Sequence, residues 1–307
     1  MQFSIVFTNV ICMAAYMLFG FLLIKGRKAE MAHSKTLSGI LIYVCGPAMV
    51  IYSFQGMTYS PDDFRSIGLF TLVTLAIQVL VVGTLWLTLH RRYADARYRI
   101  LTVSAVMGNV GFLGLPLCLS LFPGEPIVAC YSTAYSLGMN LIIFTLGVYM
   151  LTQDKKYMSL KAALLNPTNL TVILVLPFYL LDIRLPRQAM DMLSVLSRMS
   201  MPLCMFILGM RLASSDLKNL FGRPFVYVSC ALKLIAYPLL AYLCVRPIRG
   251  LNDTFKACVL VLSAMPSASI LLSLAELHGH EQEISAGILL ASSLLCIATI
   301  PLMLLIL

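Results

Sequence analysis

The chain has 307 residues, 60% of them hydrophobic and 11% charged. A soluble protein carries about a quarter charged residues, so this composition excludes a water-soluble globular fold and calls for lipid as the solvent of most side chains. The net charge of +9 falls mainly between apolar stretches, where it reports topology and argues against nucleic acid as a partner.

A bilayer core of roughly 30 Å takes about 20 apolar residues per helix. Ten such segments are predicted, at about 5–24, 36–55, 66–89, 101–121, 127–150, 167–181, 190–212, 224–245, 255–275 and 284–306. The expected fold is an all-α integral membrane protein with ten transmembrane helices and almost no soluble chain. Met1-Gln2-Phe3-Ser4 lacks the basic start of a signal peptide, so the first segment is expected to be retained.

The odd connections hold Lys25, Arg27, Lys28 and Lys35, then Arg91, Arg92, Arg97 and Arg99. Further along they hold Lys155, Lys156 and Lys161, then Arg211, Lys218 and Arg223. The even ones hold only Arg65, Arg184, Arg187, Arg246 and Arg249. Basic connections stay on the cytoplasmic side, which puts both termini outside. The ninth connection, Glu276 to Glu283, has no Lys or Arg. Its His278 and His280, with Glu276, Glu281 and Glu283, read as a solvated turn rather than a metal site. The nine cysteines lie in or beside apolar segments without a CxxC pair, which suits small buried hydrophobes better than disulfides or zinc.

The chain reads as two halves, 1–151 and 166–307, joined by a cytoplasmic linker at 152–165. Segment two contains Cys45-Gly46-Pro47-Ala48-Met49, and segment seven contains Ser200-Met201-Pro202-Leu203-Cys204, with the prolines 155 residues apart. Pro116 in segment four and Pro266 in segment nine are 150 apart. Five helices per half is an odd number, so the second half enters the membrane from the opposite side. That is the 5+5 inverted repeat of many secondary transporters.

Pro47 and Pro202 read as kinks. Segments four and nine carry stronger breaks. One is Gly108-Asn109-Val110-Gly111-Phe112-Leu113-Gly114-Leu115-Pro116; the other is Met265-Pro266-Ser267-Ala268-Ser269. Proline removes an N–H and clashes one turn back, and backbone groups freed in lipid must find partners. Two breaks that cross inside the protein can turn those groups, and half-helix N-termini, toward an anion. The crossover is predicted from Gly108, Gly114, Pro116, Met265 and Pro266. The substrate contacts are predicted from Asn109, Gly111, Pro116, Asn140, Lys233, Pro266 and Ser267.

Lys233 lies about ten residues from either end of segment eight, where an ionisable group is costly. A substrate carboxylate would pair it; the alternatives are a fixed cation replacing a coupling ion, or a lysine bonded to carbonyls at a break. Arg198 in segment seven either attracts anions at the outer mouth or snorkels. Asn140 and Gln78 serve a site or helix–helix hydrogen bonding. No Asp or Glu lies deep in any segment, which disfavours a sodium/proton antiporter. No cofactor is implied, and the coupling ion, H+ or Na+, stays open. The main function class is a secondary carrier of small organic anions, with a ligand sensor without flux as the alternative. An intramembrane enzyme would need deep acids, histidines or metal ligands, and an ATP-driven pump would need a glycine-rich phosphate loop.

Gly108 to Pro116 resembles the fourth-helix signature of the auxin efflux carrier family, whose plant members are the PIN auxin exporters. Ser263-Ala264-Met265-Pro266, running on through Leu274-Ala275-Glu276, is similar to the family's ninth-helix crossover. Phe206-Ile207-Leu208-Gly209-Met210-Arg211-Leu212 is similar to its seventh-helix ending. The resemblance spans the whole chain. It implies a scaffold domain and a transport domain with crossed helices, and more distantly the bile acid/sodium symporter architecture. The short linker departs from the long hydrophilic loop of many plant members and looks like a compact prokaryotic one. Such members imply a bacterial inner-membrane location and small organic acids such as malonate or malate. A homodimer is among the assemblies the resemblance allows.

Overall fold

The computed structural model describes residues 2–215, 222–278 and 281–307. Lys218 of the seventh connection and His280 of the ninth lie outside the described residues. Twelve helices make up most of the described chain: α1 (Gln2–Lys25), α2 (His33–Gln55), α3 (Pro61–Leu89), α4 (Ala96–Val106), α5 (Val110–Leu121) and α6 (Ile127–Thr152). The second half supplies α7 (Pro167–Leu180), α8 (Arg187–Ser214), α9 (Pro224–Val245), α10 (Asp253–Ser263), α11 (Ile270–His278) and α12 (Gln282–Leu304). Short turns at His90–Arg92, Lys155–Tyr157 and Leu160–Leu164 join them. Seven helical stretches among the described residues are long and apolar enough to cross a membrane. The predicted first segment is helical as α1, and the predicted fourth and ninth segments are each in two pieces.

The helix starts follow from local chemistry. Ser60, Asp95, Asn166 and Asn252 each accept a hydrogen bond from a backbone N–H of the first turn, and Pro61 and Pro167 open their helices. Such caps satisfy amides that have no partner within the helix, and proline at the start loses nothing. Three single wide turns occur just before a proline: Leu41–Cys45 before Pro47, Val110–Gly114 before Pro116, and Leu232–Ala236 before Pro238. Widening the turn relieves the clash between the ring and the preceding carbonyl. Pro202, by contrast, sits inside the unbroken α8.

The helices pack as two groups. In the first, α8 lies along α1 and α2, and α7 lies along α2. Gly20 and Gly209 permit this. A Cβ on Gly20 would collide with the backbone carbonyl of Phe206, and one on Gly209 with that of Met17. In lipid, where tails are as apolar as side chains, helix pairing relies on this kind of close backbone fit. In the second group α3 packs on α4 and α6, α9 on α10 and α12, and α11 on α12. The groups meet where α1 touches α5 and α12, where α2 and α7 touch α6, and where α8 touches the start of α5.

Candidate functional site

Helix α4 ends at Val106, and the backbone turns extended at Met107 and leaves helical geometry at Asn109. Helix α10 ends at Ser263, and α11 resumes at Ile270. The two gaps meet. Gly108 and Ser267 form an isolated antiparallel bridge, and the Asn109 N–H donates to the Pro266 carbonyl at 2.7 Å. Several backbone groups at the breaks find further partners. The Gly108 N–H points at the Met139 sulfur (3.2 Å), the Ser267 N–H at Ser292 Oγ (3.0 Å), and the Val110 carbonyl accepts from Ser132 Oγ (3.1 Å). The Asn109 carbonyl takes the amides of Leu113 and Gly114, each at 3.2 Å.

Lys233 sits in the wide turn of α9 and is fully buried. Its Nζ donates to the Ser263 carbonyl at 2.9 Å, at the last residue of α10. The same Nζ would be 3.2 Å from a Cβ on Gly108, so the ammonium stands beside both half-helix C-termini. Those ends carry partial negative charge, and a cation there is stabilised. The ammonium also lies 4.7 Å from the centroid of the Tyr237 ring, and the Tyr237 and Tyr135 hydroxyls are hydrogen-bonded to each other. On the other side of the crossing α5 and α11 begin, and their first-turn amides supply partial positive charge.

The structure gathers most of the predicted residues and separates others. Gly108, Asn109, Lys233, Met265, Pro266 and Ser267 share the crossing. Gly114 holds α5 against it: a Cβ there would sit 2.9 Å from Leu262 Cδ2 and 3.2 Å from Met265 Cγ. Pro116 lies in the first turn of the regular helix beyond the break, so the spatial partner of Pro266 is Asn109 and not Pro116. The reason is positional, since proline is accommodated near a helix start and the backbone departs where Gly108 and Asn109 sit. Gly111 faces Met49 of α2, whose Cε would be 3.3 Å from an added Cβ. Asn140 donates to Asn169 Oδ1 (3.1 Å), and Asn169 donates to the Ala163 carbonyl (2.8 Å). This chain ties α6 to α7. Gln78 is fully buried with neither amide atom partnered, and Arg198 is exposed on α8.

Sequence reasoning missed Tyr135, Tyr237, Cys204, Ser263 and Ser292. Tyr237 follows Lys233 by four residues, a spacing that places both on one helix face, so it was within reach. Cys204 accepts from Asn109 Nδ2 at 3.2 Å, and nothing local in the sequence marks that pairing. The Ser267 hydroxyl is buried at the crossing with no hydrogen-bond partner among the described residues. A buried orphan of this kind calls for a water or a ligand atom.

A largely helical chain with seven membrane-length helices, two broken helices meeting through their backbones and a buried lysine beside them defines a multi-pass membrane transport protein. The membrane transport protein family matches residues 5–162 and 154–304, and the chain belongs to that family, the auxin efflux carriers. It is 28% identical over 280 residues to an uncharacterised transporter of Methanocaldococcus jannaschii, covering 88% of this chain and 87% of the relative. It is equally similar, over the same shares, to an uncharacterised transporter of Methanothermobacter thermautotrophicus.

Proposed function

We propose that the chain is a secondary carrier of small organic anions that works by alternating access around the crossing. The observation that carries this reading is the Asn109–Pro266 backbone bond with the Lys233 ammonium beside it. Two converging N-termini, the Asn109 amide and the unpartnered Ser267 hydroxyl offer donors to a carboxylate. No Asp or Glu is buried among the described residues, so no carboxylate competes with the ligand for those donors.

The packing groups favour a ten-segment inverted repeat. One group holds the first two segments of each half, and the other holds the last three of each half. Breaks fall in the fourth member of both halves. In this reading the group of α1, α2, α7 and α8 is the static frame, and the crossing group moves against it. The basic odd connections then face the cytoplasm and both termini face outside. Lys233, bonded to a carbonyl at a break, serves as the resident cation that steadies the two C-termini.

Uptake and counterflow of labelled malonate, malate or an indole acid in proteoliposomes test the reading. Saturable flux with counterflow is expected. Saturable binding without flux would instead mark a sensor, and flux untouched by Asn109→Ala and Lys233→Met together would remove the crossing as the site.

A further inference from the structure

A cavity of about 430 Å³ opens where the two helix groups meet, on the side of the first, seventh and ninth connections. Met31, Arg211, Ser214 and Ser215 line one wall, from the frame group. Leu272, Glu276, Glu283 and Leu289 line the other, from α11 and α12. The cavity has a direct relation to the crossing. Ser292 Oγ, which holds the Ser267 N–H, also bonds the Leu289 carbonyl at 3.2 Å. Leu289, on the cavity wall, is therefore one helical turn from the serine that holds the bridge.

Its charges are not equivalent. Glu283 is paired with Arg223, and Glu276 is exposed to solvent. Arg211 is half-buried, its Nε is shut off from solvent without an acceptor, and no carboxylate pairs with it among the described residues. A guanidinium held this way presents a planar set of donors that fits a carboxylate in bidentate fashion. Two hydroxyls, Ser214 and Ser215, stand beside it on the same wall.

We infer that this cavity is an inner vestibule that docks the carboxylate of a small organic anion on Arg211 before it reaches the crossing. The inference rests on the carrier reading for its direction and adds a second, separate binding station to it. Glu276 on the opposite wall keeps the vestibule near electrical balance. The anion is thereby held loosely enough to move on.

Binding of malonate, malate and indole-3-acetate to purified protein in detergent tests the station without requiring flux. The measurement is a thermal shift, which rises with ligand by mass action, on wild type, Arg211→Gln and Arg211→Lys. At least one of the three carboxylates is expected to bind wild type. Arg211→Gln should weaken it about tenfold or more, the scale of one lost charge-assisted hydrogen bond. Arg211→Lys should recover part of the loss. Unchanged binding in Arg211→Gln overturns the inference and leaves Arg211 as a helix-end and topology charge only. Absence of binding by wild type across the panel overturns it as well. The carrier reading is judged separately, by flux of the same compounds in proteoliposomes. A folded Arg211→Lys, checked by size-exclusion profile, guards against misreading a misfolded Arg211→Gln.

Discussion

The two helix groups solve the membrane problem in opposite ways. The group of α1, α2, α7 and α8 is closed by backbone contact, with Gly20 and Gly209 each seated on a carbonyl of the facing helix. The crossing group buries Lys233, Asn109, Ser263, Ser267 and Ser292, and satisfies its interrupted backbone with side chains. One is closely packed, backbone on backbone; the other is polar where two helices are interrupted. The largest expected effect follows from the first. Gly209→Leu puts a side chain against backbone that cannot rotate away, beyond the 1–3 kcal/mol or so typical of core overpacking. Loss of monodisperse protein after detergent extraction is expected, whereas Gly138→Ala should be tolerated, since its nearest neighbour is Leu75 Cβ at 3.7 Å. Equal yields from the two variants would erase the contrast between the groups.

The second group should fail differently, by losing flux before it loses fold. Asn109→Ala removes the amide but leaves its backbone bond to Pro266 intact. Transport in proteoliposomes is expected to drop about tenfold, the cost of one or two hydrogen bonds to a charged ligand. Lys233→Met keeps the volume and strips the cation from the two C-termini. A charged group at such an end is worth up to about 2 kcal/mol in buried geometry, so flux and thermal stability should both fall. A Lys233→Met protein with normal stability and normal flux would show that the ammonium neither steadies the crossing nor meets the ligand.

How much of this was legible in the sequence depends on the range of the interaction. The helical segments and the two breaks are local events, written in apolar runs and Gly/Pro clusters. The site was half legible. Lys233, Asn109 and Pro266 stood out as anomalies in apolar surroundings, and the structure puts them together. Pro116 misled, because proline signals a break but is also comfortable just after one. Cys204 and Ser292 could not be seen, since each is an ordinary residue until a distant segment lays a free amide on it. The Gly20 and Gly209 contacts were equally invisible, because a glycine in a helix does not announce which carbonyl it faces.

Asn140 offers a sharper test at the boundary between the groups. Its bond to Asn169 runs from α6 to α7, one from each group. If the groups slide during transport, this bond must break and reform in each cycle. Asn140→Leu removes it and leaves the Asn169 amide on the Ala163 carbonyl, with the Asn169 oxygen unpaired. A loss of about 1–3 kcal/mol in stability is expected from the stranded buried acceptor, read as a lowered Tm. The double change Asn140→Leu with Asn169→Leu should regain part of it. If the double variant is no more stable than the single one, the pair contributes packing and not hydrogen bonding.

The smallest effect lies at the start of α4, outside the membrane. Asp95 caps that helix by accepting from the Arg97 N–H at 3.0 Å and pairs with the Arg97 guanidinium at 2.6 Å. The Arg97 side chain, and then the backbone N–H, hold the Asp95 carboxyl below its usual range. A carboxyl with a depressed folded value stabilises the fold fully above its ordinary value of about 3.9, and the gain is lost as pH falls through the lower folded one. Neither group is buried, so solvent screening keeps the gain small. Asp95→Asn keeps the cap and removes the charge. At neutral pH the variant should melt slightly below wild type, and the gap should close as the pH drops through the acid range. A gap that persists unchanged at acid pH would assign the difference to cap geometry, and the half-helix leading to the crossing would then owe nothing to this ion pair.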